Sequence, residues 1–390
     1  MSNQKIAFNK PYCNSAFMIA ACDKAVRLDF SSAELDKQML SSLNRSGLKT
    51  SENHVYYTQS ATQALELMAL ALDLKAGDEV IIPSYTYAAT ANAFARTGAK
   101  VVFADVDVRT VNITPETVAP LITDKTRAIL PIHYGGGAAD VEGLLRIANQ
   151  NNTLLLEDAA HGVGAKYKGQ ALGTFGELGC FSFHHTKNIT AFGNGGLLIL
   201  NKHSRFQDSI EQIYYQGTDR GAFLRGEATE YRWMMLGGEY EMAHFNKAYL
   251  NEALIHLNEV TAKRTSIWHF YHNEFSTELS AFVEGNQLIL PQIIEGAEIN
   301  GHIYHIILPS KVLRNRFIQR LSEKSIVAYS HYEPLHMSPA GQKYGEVRTP
   351  MQATEAIGNG LVRLPLYYDL SVNEQKRIVE AVLDTIKVLL

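Results

Sequence analysis

Between about residue 60 and residue 200, short apolar runs alternate with segments of helical character at residues 62–72 and 141–149. Most of the runs are apolar at consecutive positions, which is typical of strands covered by helices on both faces. The pattern predicts an α/β fold with a mostly parallel, doubly wound sheet. The predicted strands are residues 79–83, 100–106, 127–133, 153–158, 179–183 and 196–200.

After about residue 240 the pattern changes, and helical and strand-like runs no longer alternate regularly. The predicted elements are a helix over 246–257 that extends towards residue 271, strands over 302–308 and 326–331, and an amphipathic helix over 371–390. This order is typical of a smaller α+β domain. We therefore expect a large domain over residues 1–245, which includes the N-terminal segment, and a small C-terminal domain over residues 246–390.

Composition excludes several classes of protein. The net charge of −4 gives no general attraction for nucleic acid or for anionic membranes. No apolar run approaches the roughly 20 residues that a membrane span needs, and the first residues lack the apolar core of a signal peptide. The three cysteines fit neither a disulfide framework nor a paired metal motif. We expect a cytoplasmic enzyme in a reduced setting.

The segment from Leu154 to Leu200 carries the most informative chemistry. Its first apolar run ends in Glu157 and Asp158, and its second carries Ser182, with Lys187 after a short loop. This order supplies an acid for a heterocyclic nitrogen, a hydroxyl for a phosphate and an amine for a Schiff base. The combination predicts a site for pyridoxal 5′-phosphate (PLP), and hence an aminotransferase.

Two of these residues have competing interpretations. Lys187 follows an apolar strand and precedes a glycine-rich turn, which favours a Schiff-base lysine over a solvated surface lysine. Asp158 ends its strand where ligands bind in such sheets, so it can keep a pyridine nitrogen protonated. The alternative for Asp158 is a helix cap. Glu157 is expected to point the other way and to be structural.

The remaining candidates are a helix start and two aromatic rings. Residues 59–64 open a helix whose N–H groups, with the Thr62 hydroxyl, can hold a phosphate, although plain N-capping is the alternative. Tyr87 can stack on the cofactor ring or be a core tyrosine. His161 can contact the ring or its 3′ oxygen, or be a buried histidine. His184 and His185 lack further ligands at metal spacing, so no metal site is predicted.

At these residues the chain resembles the DegT/DnrJ/EryC1/StrS family of nucleotide-sugar aminotransferases. The resemblance implies the fold-type I architecture of PLP-dependent transferases. It also implies that Lys187 is the Schiff-base lysine, that Asp158 binds the pyridine nitrogen, and that Ala61, Thr62 and Ser182 bind the phosphate. Tyr87 would stack on the ring, beside His161. The matching stretches include GDEVIIPSYTYAATANAF, LLEDAAHGVGAKYKGQALGTFGELGCFSFHHTKNIT, YEPLHMSPAG and RLPLYYDLS.

The resemblance further implies a homodimer with shared active sites, glutamate as amino donor, 2-oxoglutarate as co-product and a nucleotide-linked keto sugar as acceptor. Within the family, the chain is most similar to enzymes that aminate a dTDP-linked 4-keto-6-deoxyhexose to the 4-amino-4,6-dideoxygalactose product for surface polysaccharides. Amination at C3, a UDP-linked sugar, and a non-catalytic sugar-binding or regulatory relative stay open. Sugar dehydratases of this fold carry histidine at the position of Lys187. The lysine in this chain therefore argues against a dehydratase.

Two segments depart from the family pattern. Asn194 stands where the family has glutamate in GEGG, and Glu239 stands where it has asparagine in GYNYRM. That asparagine commonly reaches the cofactor phosphate of the neighbouring subunit, whereas an ionised Glu239 would repel a phosphate. Further candidates to bind the diphosphate or the sugar are Arg220, Arg225, His331 and His336.

Overall fold

A computed structural model of the chain describes residues 4–27, 33–49, 54–201 and 205–390. Its strands are β1 Val55–Thr58, β2 Glu79–Pro83, β3 Lys100–Ala104, β4 Thr126–Ile129, β5 Leu154–Asp158, β6 Lys166–Tyr167, β7 Gln170–Ala171, β8 Leu178–Ser182, β9 Gly196–Leu200, β10 Ala297–Glu298, β11 Tyr304–Ile307, β12 Gly345–Val347 and β13 Leu361–Leu364. Its helices are α1 Ser15–Arg27, α2 Ala33–Arg45, α3 Ala61–Ala71, α4 Ala88–Ala95, α5 Pro115–Val118, α6 Val141–Gln150, α7 Gln207–Tyr214, α8 Arg220–Leu224, α9 His244–Ile255, α10 Leu257–Glu278, α11 Ser280–Glu284, α12 Lys311–Glu323, α13 Pro339–Tyr344, α14 Gln352–Gly360 and α15 Val372–Leu389.

The central sheet has the strand order β1-β9-β8-β5-β4-β2-β3-β12. Every strand in it runs parallel to its neighbours except β9, which is antiparallel to both β1 and β8. Helices cover both faces, and consecutive residues of one strand enter different cores. Val80 and Ile82 pack with α3, whereas Ile81 packs with α6. The predicted α/β fold with a mostly parallel sheet is confirmed.

The predicted elements agree with the structure to different degrees. Residues 79–83 and 196–200 are strands with the predicted bounds, whereas the run predicted as a strand over 127–133 stops at Ile129. The prediction of a strand over 326–331 is wrong. That run makes only isolated bridges, from Ile326 to Ile6 and from Tyr329 to Arg363 of β13.

The C-terminal part of the chain has its own core and returns to the main sheet. β11 and β13 pair antiparallel and pack with α10, α12 and α15. β12 then extends the central sheet as a parallel edge strand beside β3. Beyond it, Arg348 Nη2 lies 2.6 Å from Glu79 Oε1. The domain boundary between residues 245 and 246 stays a prediction. The helix α9, which spans that boundary, packs against α1 and α2 in a core separate from that of β11 and β13.

None of the helices in the described part of the chain is long and apolar enough to cross a membrane.

Candidate active site

A cavity of about 840 Å³ lies at the carboxyl ends of the parallel strands, between the main sheet and the C-terminal part of the chain. Parallel strands expose their carboxyl ends at one edge, and ligands of doubly wound sheets bind there. The cavity brings together all seven residues predicted from the sequence to bind the cofactor. These are Ala61, Thr62, Tyr87, Asp158, His161, Ser182 and Lys187.

Asp158 forms a fixed, buried carboxylate on one side of the cavity. It is the last residue of β5, and only 4% of its surface is exposed. Its Oδ2 accepts a hydrogen bond from Thr90 Oγ1 at 3.0 Å, and its Oδ1 accepts one from the Ala160 backbone N–H at 3.0 Å. Thr90 contacts the Thr86 hydroxyl at 3.1 Å in turn. Such an orientated carboxylate can hold a protonated ring nitrogen.

Lys187 lies in the loop between β8 and β9, half-buried in the same cavity. Its backbone N–H donates to the His184 carbonyl at 2.8 Å, which fixes the start of the side chain. Burial lowers the pKa of Lys187 to about 8, although the charge of Asp158 opposes the shift; the Arg363 guanidinium lowers it further. An amine with this pKa is partly neutral near pH 8, as a nucleophile requires.

The start of α3 offers N–H groups to an anion. Ser60 caps the helix by accepting from the Gln63 N–H, so the N–H groups of Ala61 and Thr62 precede the first helical hydrogen bonds. Gly196 of β9 lies directly beneath this turn: a Cβ there would be 2.3 Å from the Ser60 carbonyl carbon and 2.5 Å from the Ala61 nitrogen. We call Ser60, Ala61, Thr62 and the neighbouring Ser182 the phosphate cradle.

The register of the sheet explains why Ser182 adjoins that turn. Ser182 pairs with Gly196 across β8 and β9, and Thr58 pairs with Gly196 from the other side. Only glycine at position 196 leaves room for the turn at Ser60 and Ala61 to pack against β9. The arrangement fits the phosphate group of PLP, because backbone N–H groups, a helix start and a buried hydroxyl converge at one end of the cavity.

Glu157 points away from the cavity, as its alternation with Asp158 predicts. Its buried carboxylate accepts hydrogen bonds from the backbone N–H groups of Gly173, Phe175 and Gly176 at 2.9, 2.6 and 2.7 Å. His133 Nε2 lies 3.0 Å from the same carboxylate. Glu157 therefore organises the turn before β8, the strand that carries Ser182.

Two rings frame the space beside Asp158. His161 Nδ1 accepts the Gly135 N–H at 3.2 Å, so its Nε2 carries the proton of the neutral ring. Burial, with the positive charge of Lys187, holds the pKa of His161 well below its usual range. Tyr87, at the start of α4, keeps 63% of its surface exposed. The exposed Tyr87 ring lines the cavity and could stack on the cofactor ring. That stacking role stays a prediction.

The structure separates the other candidates. His331 and Asn194 line the cavity. His336 instead approaches Ser84 Oγ at 2.7 Å through Nδ1, which anchors the turn at 335–337 to the end of β2. Glu239 is exposed on the surface and bonds Gln216 through its side chain.

Arg220 and Arg225 also lie outside this cavity. Arg225 forms ion pairs with Glu211 and Glu227, and Arg220 begins α8 on the exposed side.

Several residues of the cavity were not predicted from the sequence. The C-terminal part of the chain contributes Arg264, His302, Tyr332 and Arg363. Arg264 lies within a long helix, where an arginine gives no specific signal. Arg363 belongs to the stretch RLPLYYDLS, which carried the family resemblance but did not reveal that its arginine enters the site.

Comparison with known proteins agrees with this geometry. A sequence model of the DegT/DnrJ/EryC1/StrS aminotransferase family matches residues 48–383. The chain is 31% identical over 324 residues to the pleiotropic regulatory protein of Geobacillus stearothermophilus, covering 83% of this chain and 82% of that protein. It is 30% identical over 342 residues to the spore coat polysaccharide biosynthesis protein SpsC of Bacillus subtilis, covering 86% of each.

The fold is shared with solved structures of aminotransferases. The PLP form of Spr1654 from Streptococcus pneumoniae has a TM-score of 0.87 to this chain at 23% identity, over 99% of this chain and 100% of that one. The chain therefore belongs to the DegT/DnrJ/EryC1/StrS aminotransferase family and is a PLP-dependent aminotransferase.

Proposed function

We propose that this member of the family transfers an amino group from glutamate to the keto group of a dTDP-linked 4-keto-6-deoxyhexose. The product would be a dTDP-4-amino-4,6-dideoxyhexose, of the galacto series by resemblance, for a surface polysaccharide or related glycan. The observation that carries the proposal is the placement of Lys187, with its lowered pKa, and the buried Asp158 in one cavity. An acid and a partly neutral amine in one site are what transamination on PLP requires.

Each cofactor-binding residue has a proposed role. The bound pyridine ring supplies the electron sink for the substrate carbon. Asp158 keeps the ring nitrogen protonated, and the phosphate cradle holds the phosphate at the start of α3. The Lys187 amine carries a proton from the donor carbon to the cofactor carbon and returns it in the second half-reaction. Tyr87 and His161 limit the ring to one plane.

A neutral, hydrogen-bonding wall supports a sugar as the acceptor. His302 Nδ1 donates to Asn188 Oδ1 at 2.9 Å, since the Asn188 amide nitrogen is used by the Asn300 carbonyl at 2.9 Å. Burial holds the pKa of His302 well below its usual range, so its Nε2 is an acceptor for a hydroxyl. His331 is anchored through Nδ1 to the Tyr134 hydroxyl at 2.7 Å and also leaves Nε2 for the cavity.

An exposed apolar segment supports a homodimer with shared active sites. Within residues 223–236, Trp233 keeps 75% and Leu236 77% of their surfaces exposed, and Tyr231 and Phe223 are exposed beside them. Exposed aromatic and apolar side chains concentrated in one segment are typical of a protein interface. We propose that this segment contacts a second copy of the chain, and that Glu239, just beyond it, contacts the partner rather than a phosphate.

Two alternatives to this proposal are an aminotransferase with a different sugar acceptor and a protein without catalytic activity. A 3-keto sugar or a UDP-linked sugar would use the same catalytic residues. A regulatory role without turnover is suggested only by the name of the Geobacillus relative. The set of Lys187, Asp158 and Ser182 in one cavity favours an enzyme.

The test is an assay of the PLP-loaded protein with glutamate and a panel of dTDP- and UDP-linked 3-keto and 4-keto sugars. Product stereochemistry is read by NMR. We expect one dTDP-linked 4-amino sugar, parallel lines in a double-reciprocal series, and no product with Lys187→Ala. Amination of a different acceptor would replace the substrate assignment. Undiminished turnover by Lys187→Ala would refute the mechanism.

A further inference from the structure

Asn188 joins the loop that carries Lys187 to the C-terminal part of the chain. It follows Lys187 directly and is almost completely buried, with 4% of its surface exposed. Its Nδ2 donates to the Asn300 carbonyl at 2.9 Å, and its Oδ1 lies 2.9 Å from His302 Nδ1. These partners lie 112 and 114 positions later in the chain. Lys187 and His302 line the cavity, whereas Asn188 does not, so its two bonds act on the site only through its neighbours.

The turn from Asn300 to His302, to which Asn188 bonds, is fixed at each of its carbonyls. Asn188 bonds the first carbonyl, and Arg264 bonds the next two, from Nε to Gly301 at 3.1 Å and from Nη2 to His302 at 3.0 Å. Gly301 has a φ of +60°, and a Cβ there would lie 2.5 Å from the Arg264 carbonyl carbon. The turn therefore has little freedom to move, and it is a firm anchor for the lysine loop.

Asn300 attaches the same turn to the loop after β5. Its Nδ2 donates to the carbonyls of His161 and Val163 at 2.7 and 2.8 Å, and its Oδ1 accepts the His302 N–H at 3.0 Å. Two loops of the cavity wall, the one after β5 and the one that carries Lys187, are thus bonded to one turn.

Hydrogen-bond accounting leaves one tautomer for His302. The Asn300 carbonyl can only accept, so the amide nitrogen of Asn188 faces it and the amide oxygen faces His302. That oxygen can also only accept, so His302 Nδ1 carries the proton. Burial, together with the neighbouring His161, Lys187, Arg264 and His331, holds the pKa of His302 well below its usual range. The ring is therefore neutral, and its Nε2 is unprotonated.

We propose that Asn188 is a positioning residue, which fixes both the peptide that follows Lys187 and the tautomer of His302. Without its two bonds, the backbone beside Lys187 would lose its anchor, and His302 Nδ1 would lose its acceptor. The role at Lys187 rests on the proposed function, in which the Lys187 amine links to PLP. The role at His302 is independent of that function.

The first measurement determines the tautomer directly. Long-range ¹H–¹⁵N spectra of the full-length, PLP-loaded protein with labelled histidine distinguish protonated from unprotonated ring nitrogens, and His302→Gln identifies the signals. At neutral pH we expect a protonated Nδ1 and an unprotonated Nε2 in the wild-type protein. Asn188→Leu keeps the branched shape of the side chain but removes both bonds, so the proton should move at least in part to Nε2.

Two results of these spectra would overturn the proposal. One is a wild-type His302 that carries its proton on Nε2 or carries two protons at neutral pH, which decides the question even where the variant folds poorly. The other is an unchanged tautomer in folded Asn188→Leu.

The second measurement concerns Lys187 and compares PLP with pyridoxamine 5′-phosphate, whose amine replaces the aldehyde and cannot link to a lysine. Both are titrated into cofactor-free, full-length protein. The dissociation constant of pyridoxamine 5′-phosphate divided by that of PLP measures how much the link contributes to binding. Asn188→Leu should lower this ratio by roughly 5- to 30-fold, the equivalent of one to two hydrogen bonds. An equal loss of affinity for both cofactors would overturn the role at Lys187.

The matched control is Asn201→Leu, which makes the same chemical change outside the cavity. Asn201 Nδ2 also bonds two carbonyls, those of Gly173 and Gly176, at 3.0 Å each. The control should lower the free energy of unfolding but leave the tautomer of His302 and the ratio of dissociation constants as in the wild-type protein. A control that changes either of them as much as Asn188→Leu does would overturn the proposal.

Borohydride reduction of the wild-type protein with PLP distinguishes a failure of the proposed function from a failure of this inference. Reduction should attach the cofactor permanently to Lys187. If it does not, the proposed function and the role of Asn188 at Lys187 are both wrong, whereas the spectra still decide its role at His302. If the cofactor is attached and the ratio is unchanged in Asn188→Leu, only the inference about Asn188 is wrong.

Discussion

Gly196 gives the sharpest test of the proposed phosphate cradle. Its backbone contributes no functional group to the cavity, yet it underlies the turn whose N–H groups face the proposed phosphate. The change is Gly196→Ala, which adds one methyl group. That methyl would stand 2.3 Å from the Ser60 carbonyl carbon and 2.4 Å from the Ser60 oxygen, both backbone atoms.

The size of the effect follows from these distances. Non-bonded carbon atoms are about 3.5–4.0 Å apart at contact, so the turn or β9 must move by roughly 1 Å. A hydrogen bond of about 2.9 Å that lengthens by that amount is lost. Each bond to a charged group contributes roughly 1.5–3 kcal/mol, so the loss of one such bond should weaken PLP binding by roughly 10- to 150-fold. Overpacking should also lower the free energy of unfolding by roughly 1–3 kcal/mol.

The assay compares PLP with pyridoxal, which lacks the phosphate. Both are titrated into cofactor-free protein, and binding is followed by absorbance. The dissociation constant of pyridoxal divided by that of PLP measures how much the phosphate contributes to binding. Gly196→Ala should reduce that ratio at least tenfold while changing pyridoxal affinity less than about threefold. The matched control is Gly137→Ala, whose added Cβ would meet only the Tyr134 carbonyl oxygen, at an ordinary 3.4 Å. An unchanged ratio in Gly196→Ala, or an equal loss for both ligands, would refute the assignment of the cradle.

Three further predictions concern the amine, the second carboxylate and the exposed segment. The rate at which cofactor-free protein recombines with PLP should rise with pH through a midpoint near 8, where half of the Lys187 amine is neutral, and should level off well above that pH. Asp158→Asn should move the midpoint to lower pH, because the carboxylate raises the pKa of Lys187. A midpoint near 10 would contradict the lowered pKa. Glu157→Gln should lower the free energy of unfolding by roughly 2–4 kcal/mol in denaturant titrations, since the amide keeps only one acceptor oxygen and its NH2 group would face backbone N–H donors. The absorbance of the bound cofactor should be unchanged in the folded variant. Trp233→Glu should shift sedimentation towards the monomer whereas Val388→Glu, which changes an exposed residue of the last helix, should not; a dimer that tolerates Trp233→Glu would place the interface elsewhere.

The sequence predicted the parts of the fold that depend on local pattern. Continuous apolar runs located β2 and β9, and helical periodicity located α3 and α6. The direction of β9 was not predicted from the sequence, although the absence of a helix between β8 and β9 is the signal for an antiparallel pair. β1 and β12 were not predicted either. Each is short, and its pairing is decided by tertiary contacts rather than by its own residues.

The site shows the same division between local and long-range information. The seven predicted cofactor residues come from segments whose order along parallel strands fixes their position, so their meeting in one cavity followed from the topology. Arg363 and His302 reach that cavity from the C-terminal part of the chain. Their positions depend on how that part packs across the ends of the strands, which no local pattern encodes. The same is true of Glu239, whose partner Gln216 lies on a separate turn.

The strand β12 has a consequence for how the protein is made. It is the edge of the central sheet, yet it is synthesised after the chain has completed all the other strands of that sheet. Until residues 345–347 emerge from the ribosome, β3 presents unpaired N–H and C=O groups that can pair with another chain. Until Arg348 is synthesised, the Glu79 carboxylate also lacks its ion pair and has only the hydrogen bond from the Thr123 hydroxyl. A nascent chain of this protein therefore passes through a long interval as an aggregation-prone template, and truncation before Gly345 would make that interval permanent.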